Sequence, residues 1–338
     1  MGSLTVIECK KAKDFLNEIT PWNSRFDLSK FVFRGHSKET YKLLPNAFRD
    51  REHQNLNSIA RLKLNENFKF PKVAEHLNLG DLAIHHASLE FHVLRRFYRK
   101  ANANGLYVPR SKFMSHSMER SYYGFEALMR LYTYNNWLER DLLEIASIAQ
   151  HYGLPTRLID WSYNPYTAAF FASNGRPSAS KGKICLWMMN TNVLAEVFEA
   201  PTSDVKIYNP HYQWNDNARS QFGLFTHKVT TFDKDYFSMR KEFLMNLMKQ
   251  EKYQTMESLK KMFTDFETFD GSVDRLVNDY NKKRKEPIKD DVLIKITLPD
   301  SEVNELNKQL RKINISEGSI YPGYSGVVSD LMNANSLR

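Results

Sequence analysis

DLLEIASIAQHYGLPTRLIDWSYNPYTAAFFASNG, residues 141–175, carries more structural instruction than any other stretch of the chain. Leu142, Ile145, Ala146 and Ala149 recur at helical spacing, and Asp141 stands where a cap would open that helix. Gly153 and Pro155 then end it. TRLIDWS reads as a strand-loop segment. Asn164 and Pro165 form a cap and first-turn pair that opens a second helix, YTAAFFA, apolar on every side and therefore buried. Between these helices the chain concentrates Gln150, His151, Tyr152, Thr156, Arg157, Asp160, Trp161 and Ser162. Polar groups so dense beside apolar ones must be satisfied or used. Either they lock the loop by bonding to one another, or they line a ligand pocket.

Upstream, FVFR at 31–34 reads as a short buried strand released at Gly35, with Arg34 placed at the exit to face a ligand. The stretch 55–100 is helical; in SLEFHVLRRFYRK, Leu89, Val93, Arg96 and Phe97 share helical spacing, with one side packed and the other basic. Met118, Tyr122, Phe125, Leu128, Met129 and Tyr132 give 117–138 a core-facing helical stripe. KICLWMM, FGLFT at 222–226 and VLIKITLP at 292–299 read as strands. Helices are expected over 236–264, through Leu244, Leu247, Met248, Leu259 and Met262, and over 272–284. A last one, SEVNELNKQLRKINI, is capped by Ser301 with an incomplete capping box.

The chain has 338 residues, enough for two domains or one elaborated domain. Its 42% hydrophobic and 13% aromatic content excludes a disordered basic tail. Lys and Arg number 48 against 39 Asp and Glu, a net charge of +9 that points to an acidic partner. Cys9 and Cys185 form no CxxC pair, which argues against a disulfide scaffold and a thiolate zinc site and fits a reducing cytosol. The start, MGSLTVIECKKAKDF, lacks the apolar core of a leader, and no apolar run reaches the roughly 18 residues of a membrane span. A cytoplasmic location is expected.

The chain lacks a GxGxxG opening a helix, a GxxxxGK[ST] loop, an HExxH and a GxSxG, which moves dehydrogenases, P-loop ATPases and lipase-like hydrolases down the order. His85, His86, Glu90 and His92 merit a metal test because His86 and Glu90 share a helix face. They lack a matching ligand set elsewhere, so packed or solvated histidines, and no metal, are the expectation. Arg34, with Ser162 and Asn164 at a strand-to-helix turn, offers a forked cation and short donors suited to a pyrophosphate. Arg95, Arg96, Arg99 and Lys100, interleaved with Phe97 and Tyr98 and followed by Tyr107, could draw nucleic-acid phosphates, as could the run 282–285; each is also readable as a solvated helix face. Two rivals stay open. One is a metal-dependent nuclease using Glu8 and Lys10 with Asp290 and Asp291; the other is a non-catalytic module that binds nucleic acid or a ligand.

FVFRG, AQHYGLPTRLIDWSYNPYTAAFFA and NARSQFGLFT occur in the order that resembles the FRG-domain family, named for its Phe-Arg-Gly motif, over about residues 31–230, with EGSIYPGYSGV as an extension. The resemblance implies an α+β, ADP-ribosyltransferase-like fold: a single elaborated domain over 1–338, with a small mixed or antiparallel β-core at 25–44, 151–230 and 288–330. A large helical insertion at 45–150 and helical C-terminal additions would complete it. It implies NAD as cofactor, bound by Arg34, Gly35, Tyr152, Thr156, Arg157, Trp161, Ser162 and Asn164, with Trp161 or Tyr152 stacking the nicotinamide. Where the superfamily ends a Gln-x-Glu motif with its catalytic glutamate, this chain reads Gln221, Phe222, Gly223. Gln221 is left to orient the ribose, and Glu90, Asp160 or Glu317 must supply the negative charge; His151 or Asp160 would act as base. The implied catalytic set is His151, Asp160, Gln221 and Glu317. The implied acceptor is single-stranded nucleic acid, RNA ahead of DNA, modified by a phage-defence toxin with antitoxin and chaperone partners.

Overall fold

Segments rich in β-branched and aromatic residues pair into one seven-stranded sheet, and helices cover both of its faces. The structure is a computed structural model that describes residues 4–49, 80–119, 125, 136–174, 181–231, 267–284, 287–288 and 290–334, the side chains of 80–85, 119 and 334 excepted. In chain order the elements are β1 (Leu4–Glu8), α1 (Ala12–Glu18), β2 (Phe31–His36), α2 (Gly80–Ala103), α3 (Lys112–Glu119), β3 (Asn136–Trp137), α4 (Leu143–His151), β4 (Leu158–Ser162) and α5 (Pro165–Ser173). There follow β5 (Lys183–Asn190), α6 (Thr191–Glu199), β6 (Val205–Tyr208), α7 (Asp216–Ser220), β7 (Gly223–Lys228), β8 (Thr230–Thr231), α8 (Phe269–Lys282), β9 (Leu293–Pro299), α9 (Val303–Lys312), α10 (Glu317–Ile320) and α11 (Tyr324–Ala334).

The strand order is β1-β9-β5-β2-β4-β7-β6, antiparallel except for the β1–β9 pair, and β3 with β8 makes a separate ribbon. This is a mixed α/β fold with a mostly antiparallel sheet. Phe31, Phe33, Leu186, Met188, Ile294 and Ile296 form one apolar face, packed with residues of α1, α5 and α9. Val32, Ile159, Trp161, Trp187 and Met189 form the other, packed with α6 and α8. A third cluster joins α2, α3 and α4 to Trp137, Leu158 and Phe225 at the β4–β7 end of the sheet.

Several local readings change. The strand β2 does not stop at Gly35 but continues to His36. A Cβ at Gly35 would lie 2.0 Å from the Ala168 carbonyl oxygen and 2.6 Å from the Ala172 nitrogen, so this glycine lets α5 approach the sheet rather than releasing the chain. Asp141 does not cap α4; its Oδ2 accepts from the Ser111 hydroxyl at 3.0 Å and the Phe113 amide at 3.3 Å, at the start of α3. Ser301 lies within a 3-10 turn ahead of α9 and caps nothing. The strand β1, unmarked in the sequence, adds to β9 and extends the sheet beyond the expected core segments. The Asn164 cap is present, its Oδ1 accepting from the Tyr166 and Thr167 amides. Gly153, at φ +88°, lies just beyond α4.

The expected helix over 236–264, the part of 55–100 before residue 80, and Tyr122, Leu128, Met129 and Tyr132 of the aromatic stripe lie outside the described residues. Phe125 and Met118 of that stripe do pack in the third cluster. Among the described residues no helix is long and apolar enough to cross a membrane.

Candidate functional site

Strands β2 and β4 meet at the Phe33–Ser162 pair and then part, and Arg34 bridges the opening. Its Nη1 donates to the Asp160 carbonyl at 2.7 Å and to the Asp160 carboxylate at 3.3 Å, while Nε donates to His36 Nε2 at 3.1 Å. Arg34 and His36 lie two apart on one strand, hence on one face. Burial, reinforced by the charges of Arg34 and Arg49, pushes the His36 pKa down to about 2, so the ring is neutral and its Nε2 lone pair is available to accept.

The Asp160 carboxylate is held from the other side by Gln150, whose Nε2 donates to Oδ1. The Gln150 carbonyl in turn accepts from the Thr156 hydroxyl. A relay therefore runs from the loop after α4, through the last turn of that helix, to the guanidinium of β2. The Asp160 side chain is 44% exposed and that of Arg34 14%, so the carboxylate and one flank of the cation meet solvent. Neighbouring His151 has its pKa lowered by burial, against the opposing charge of Asp160. Its Nε2 is buried, has no hydrogen-bond partner among the described residues, and its ring meets Phe225 edge-on at 5.7 Å.

A second arginine–carboxylate pair is sealed inside the protein. Glu90 Oε2 accepts from Arg157 Nε and from the Trp137 indole, both at 2.7 Å, and Oε1 lies 3.1 Å from His86 Nδ1. Arg157 Nη1 donates to the carbonyls of Trp137 and Lys228, each at 3.1 Å, and to the Thr230 hydroxyl at 2.9 Å. His86 and Glu90 do share a helix face, as their spacing requires, but a guanidinium and an indole occupy the carboxylate. The Glu90 pKa is lowered to about 2: burial acts against ionisation, and Arg157 and His86 outweigh it. The His85 side chain lies outside the described residues.

The expected site residues divide accordingly. Arg34, Gln150, Thr156 and Asp160 come together, with His151 beside them, whereas Gly35 faces α5 on the other side of the strand. Arg157 is withdrawn from any ligand by its pairing with Glu90. Trp161 is buried, donates to the Thr226 hydroxyl at 2.9 Å and packs with Phe269, so stacking a nicotinamide falls to exposed Tyr152 or to no residue of this segment. Ser162 donates to the Gln221 carbonyl at 2.7 Å and accepts from the Asn164 amide, while Asn164 is committed to capping α5. Neither offers the free donor expected of it. Thr156 is likewise buried in the relay. Gln221 follows α7, half-buried, and touches the site through its backbone. Glu317 is bound by Arg311 at 2.8 Å and by Asn333 at 3.0 Å, which removes it as a free catalytic carboxylate.

The basic run on α2 is only partly a surface. Arg95 is buried and donates to the Ser117 carbonyl at 2.7 Å, joined there by Arg99 at 3.2 Å; Arg96 and Lys100 are exposed. In the second run Lys282 pairs with Asp279 and Arg284 with Glu196, while Lys285 lies outside the described residues. The nuclease carboxylates do not converge. The β1–β9 register sets Glu8 against Thr297, whereas Asp290 and Asp291 precede Leu293 at the opposite end; Glu8 pairs with Lys183 and Asp291 accepts from Thr5. Among the described residues no group of three His, Cys, Asp or Glu side chains gathers to hold a metal.

Sequence reasoning overlooked His36, which the period of two along β2 would have found, and the bridging part played by Gln150. It also missed the Trp137–Glu90 contact, which links residues too far apart in sequence for any spacing rule. Residues 85–181 match the family model of the FRG domain, a span that holds both Glu90 and Arg157 and all of the Asp160 relay except Arg34 and His36. No curated protein and no solved structure matches the chain.

Proposed function

We propose, from the premise that residues 85–181 carry an FRG domain, that this chain is an NAD-dependent ADP-ribosyltransferase of ADP-ribosyltransferase-like fold that modifies single-stranded nucleic acid. The observation that carries the reading is the Arg34–Asp160 pair at the parting of β2 and β4. Of the three carboxylates available to stabilise a cationic ribose, Glu90 is sealed and Glu317 is bound, whereas Asp160 is half exposed beside a cation. NAD suits this pair as substrate. Arg34 commits Nε and Nη1 within the protein, which leaves Nη2 for a pyrophosphate oxygen.

On this reading the bond from the ribose C1′ to nicotinamide breaks with its electron pair leaving on nicotinamide. The Asp160 carboxylate, fixed by Gln150, stabilises the positive charge left on the ribose. An amine of the acceptor base then bonds to C1′, and its proton passes to His151 or Asp160. Gln221, which follows α7, would reach the ribose if its side chain turns toward the parted strands. The net charge of +9 and the exposed Arg96 and Lys100 favour a nucleic-acid acceptor, and the family resemblance, not the charge, puts RNA ahead of DNA. Such an activity in a cytoplasm would be a toxin's, restrained by antitoxin and chaperone partners and directed at phage.

The internal bonding of Ser162 and Asn164 favours a second reading, a module that binds a nucleotide or nucleic acid without turning it over. Incubation with NAD labelled in its adenylate part, together with single-stranded RNA or DNA, separates the two. The transferase predicts label on the nucleic acid, lost in Arg34→Ala and Asp160→Asn. Binding without transfer in the wild-type protein would leave the module.

A further inference from the structure

We propose that the surface around the turn Tyr212–Trp214 is a stacking platform for the bases of single-stranded nucleic acid, adjoining the Arg34–Asp160 site. Tyr107 and Trp214 stack face to face, with ring centroids 4.8 Å apart at 21°, and both are about half exposed. From the same turn, the Tyr212 hydroxyl donates to the Gly223 carbonyl at 3.0 Å, which ties that side chain to the start of β7 next to exposed Phe222. Exposed Tyr163 completes the group: its amide donates to the Phe222 carbonyl at 2.9 Å and its hydroxyl to Asn209 at 2.8 Å. The platform adjoins the candidate site through the chain itself, because Tyr163 follows Ser162, Phe222 follows Gln221, and the Ser162 hydroxyl bonds the Gln221 carbonyl.

The rings are held rather than loose. Asn215 caps α7 directly after the turn, and the hydroxyls of Tyr212 and Tyr163 are each anchored to a fixed partner. Phe222 keeps a φ of +49°, a left-handed conformation that a bulky aromatic residue rarely adopts, and it does so with its ring turned to solvent rather than into a core. Rigid, exposed π-faces accept any base and require that the base be unstacked, so they discriminate against a duplex. A second exposed apolar surface, on α11, presents Val327, Val328, Leu331 and Met332 with Tyr324 at its start and is mainly aliphatic; the platform is aromatic throughout and edged by exposed Asn209 and the exposed Asp216–Arg219 ion pair. Flat rings in polar surroundings on a chain of net charge +9 match bases on a phosphate backbone better than an aliphatic protein face.

The proposal deepens the transferase reading by naming where the acceptor binds, and it is tested independently of turnover. Fluorescence anisotropy would follow fluorescein-labelled oligouridylate and oligothymidylate of about 12 nucleotides, and a duplex of the same length, binding to the full chain without NAD. Trp214→Ala, Tyr107→Ala and Phe222→Gly should each weaken single-strand binding about ten-fold, with the duplex bound weakly throughout. Phe222→Gly relaxes the backbone that it alters and therefore decides the matter even if another variant misfolds. Unchanged single-strand affinity in folded Phe222→Gly, or a duplex bound as tightly as the single strand, would overturn the platform. NAD binding should be unaltered in all three variants. Single-strand binding lost in the variants, alongside a wild type that transfers no ADP-ribose, would uphold the platform while the transferase reading fails. Transfer to an oligonucleotide whose affinity ignores all three substitutions would do the reverse.

Discussion

Arg157 with Glu90 and Arg34 with Asp160 are the same chemical pair in two settings. In the first, every oxygen of the carboxylate has a partner and both side chains are almost wholly buried. In the second, the carboxylate is half exposed and the uncommitted guanidinium nitrogen, Nη2, is not sealed in, whereas the equally unpartnered Nη2 of Arg157 is buried. Burial makes the first pair costly to break and useless to a ligand, since removing either partner strands a charge away from water. Exposure makes the second cheap to break and open to one. One member of each pair, Arg157 and Asp160, lies on one short polar segment, so type of residue alone does not separate structure from function; solvent access does.

The comparison is broken most forcefully at the sealed pair. Glu90→Ala or Arg157→Ala should cost about 3–5 kcal/mol and lower the melting temperature by on the order of 10 °C, measured by calorimetry. A loss below about 1 kcal/mol would mean the network is not structural. Gly35→Ala comes next, at about 3 kcal/mol, because its Cβ meets backbone atoms of α5 that cannot swing aside. Chemical denaturation that left stability unchanged would contradict the close approach of α5. Gln150→Leu should cost about 1–3 kcal/mol by leaving the buried Thr156 hydroxyl proton without an acceptor, although its oxygen still accepts from the Leu158 amide, and should also loosen Asp160.

Acid separates the pairs in another way. The His36 pKa falls to about 2 from an ordinary 6.5, so the unfolded chain takes up that proton first and stability declines as pH drops below 6.5. Glu90 falls to about 2 from an ordinary 4.5; its contribution is complete above 4.5 and is lost as pH drops toward 2. Each proton contributes at most about 1.4 kcal/mol per pH unit. Urea unfolding across pH 7 to 3 should show the slope beginning near 6.5, and His36→Gln should flatten its upper part. A profile unaltered by that substitution would remove the neutral His36 from the account. The smallest effect on stability belongs to Arg34→Ala, about 1 kcal/mol, because Asp160 stays hydrated and only the His36 ring loses a buried donor; the same substitution has the largest effect on transfer, a loss of about 100-fold or more in kcat/KM.

Much of this architecture was legible in the sequence. The helix through Leu142, Ile145, Ala146 and Ala149, the Asn164 cap, the buried second helix and strands read at 31–34, 183–189, 222–226 and 292–299, each within about two residues of its observed bounds, follow from periodicity and punctuation, which are local signals. Legibility ended where a residue's partner is remote. Nothing near Arg157 reveals that Glu90 and Trp137 enclose it, and nothing near Glu317 announces Arg311 and Asn333. Arg95 looked like part of a basic face until Ser117 claimed it. Gly35 reads locally as the end of a strand because its actual neighbour, α5, is brought there only by the tertiary fold.

The central claim is that Arg34, and not Arg157, meets the ligand. Calorimetric titration of NAD into Arg34→Lys and Arg157→Lys, with a melting curve for each, tests it most directly, because lysine keeps the charge and loses the fork. The account predicts that Arg34→Lys melts like the wild type and binds NAD at least about ten-fold more weakly. It predicts that Arg157→Lys melts markedly lower, while its folded fraction binds NAD as the wild type does. NAD binding abolished by Arg157→Lys at temperatures where that variant is folded, with Arg34→Lys binding normally, would contradict it.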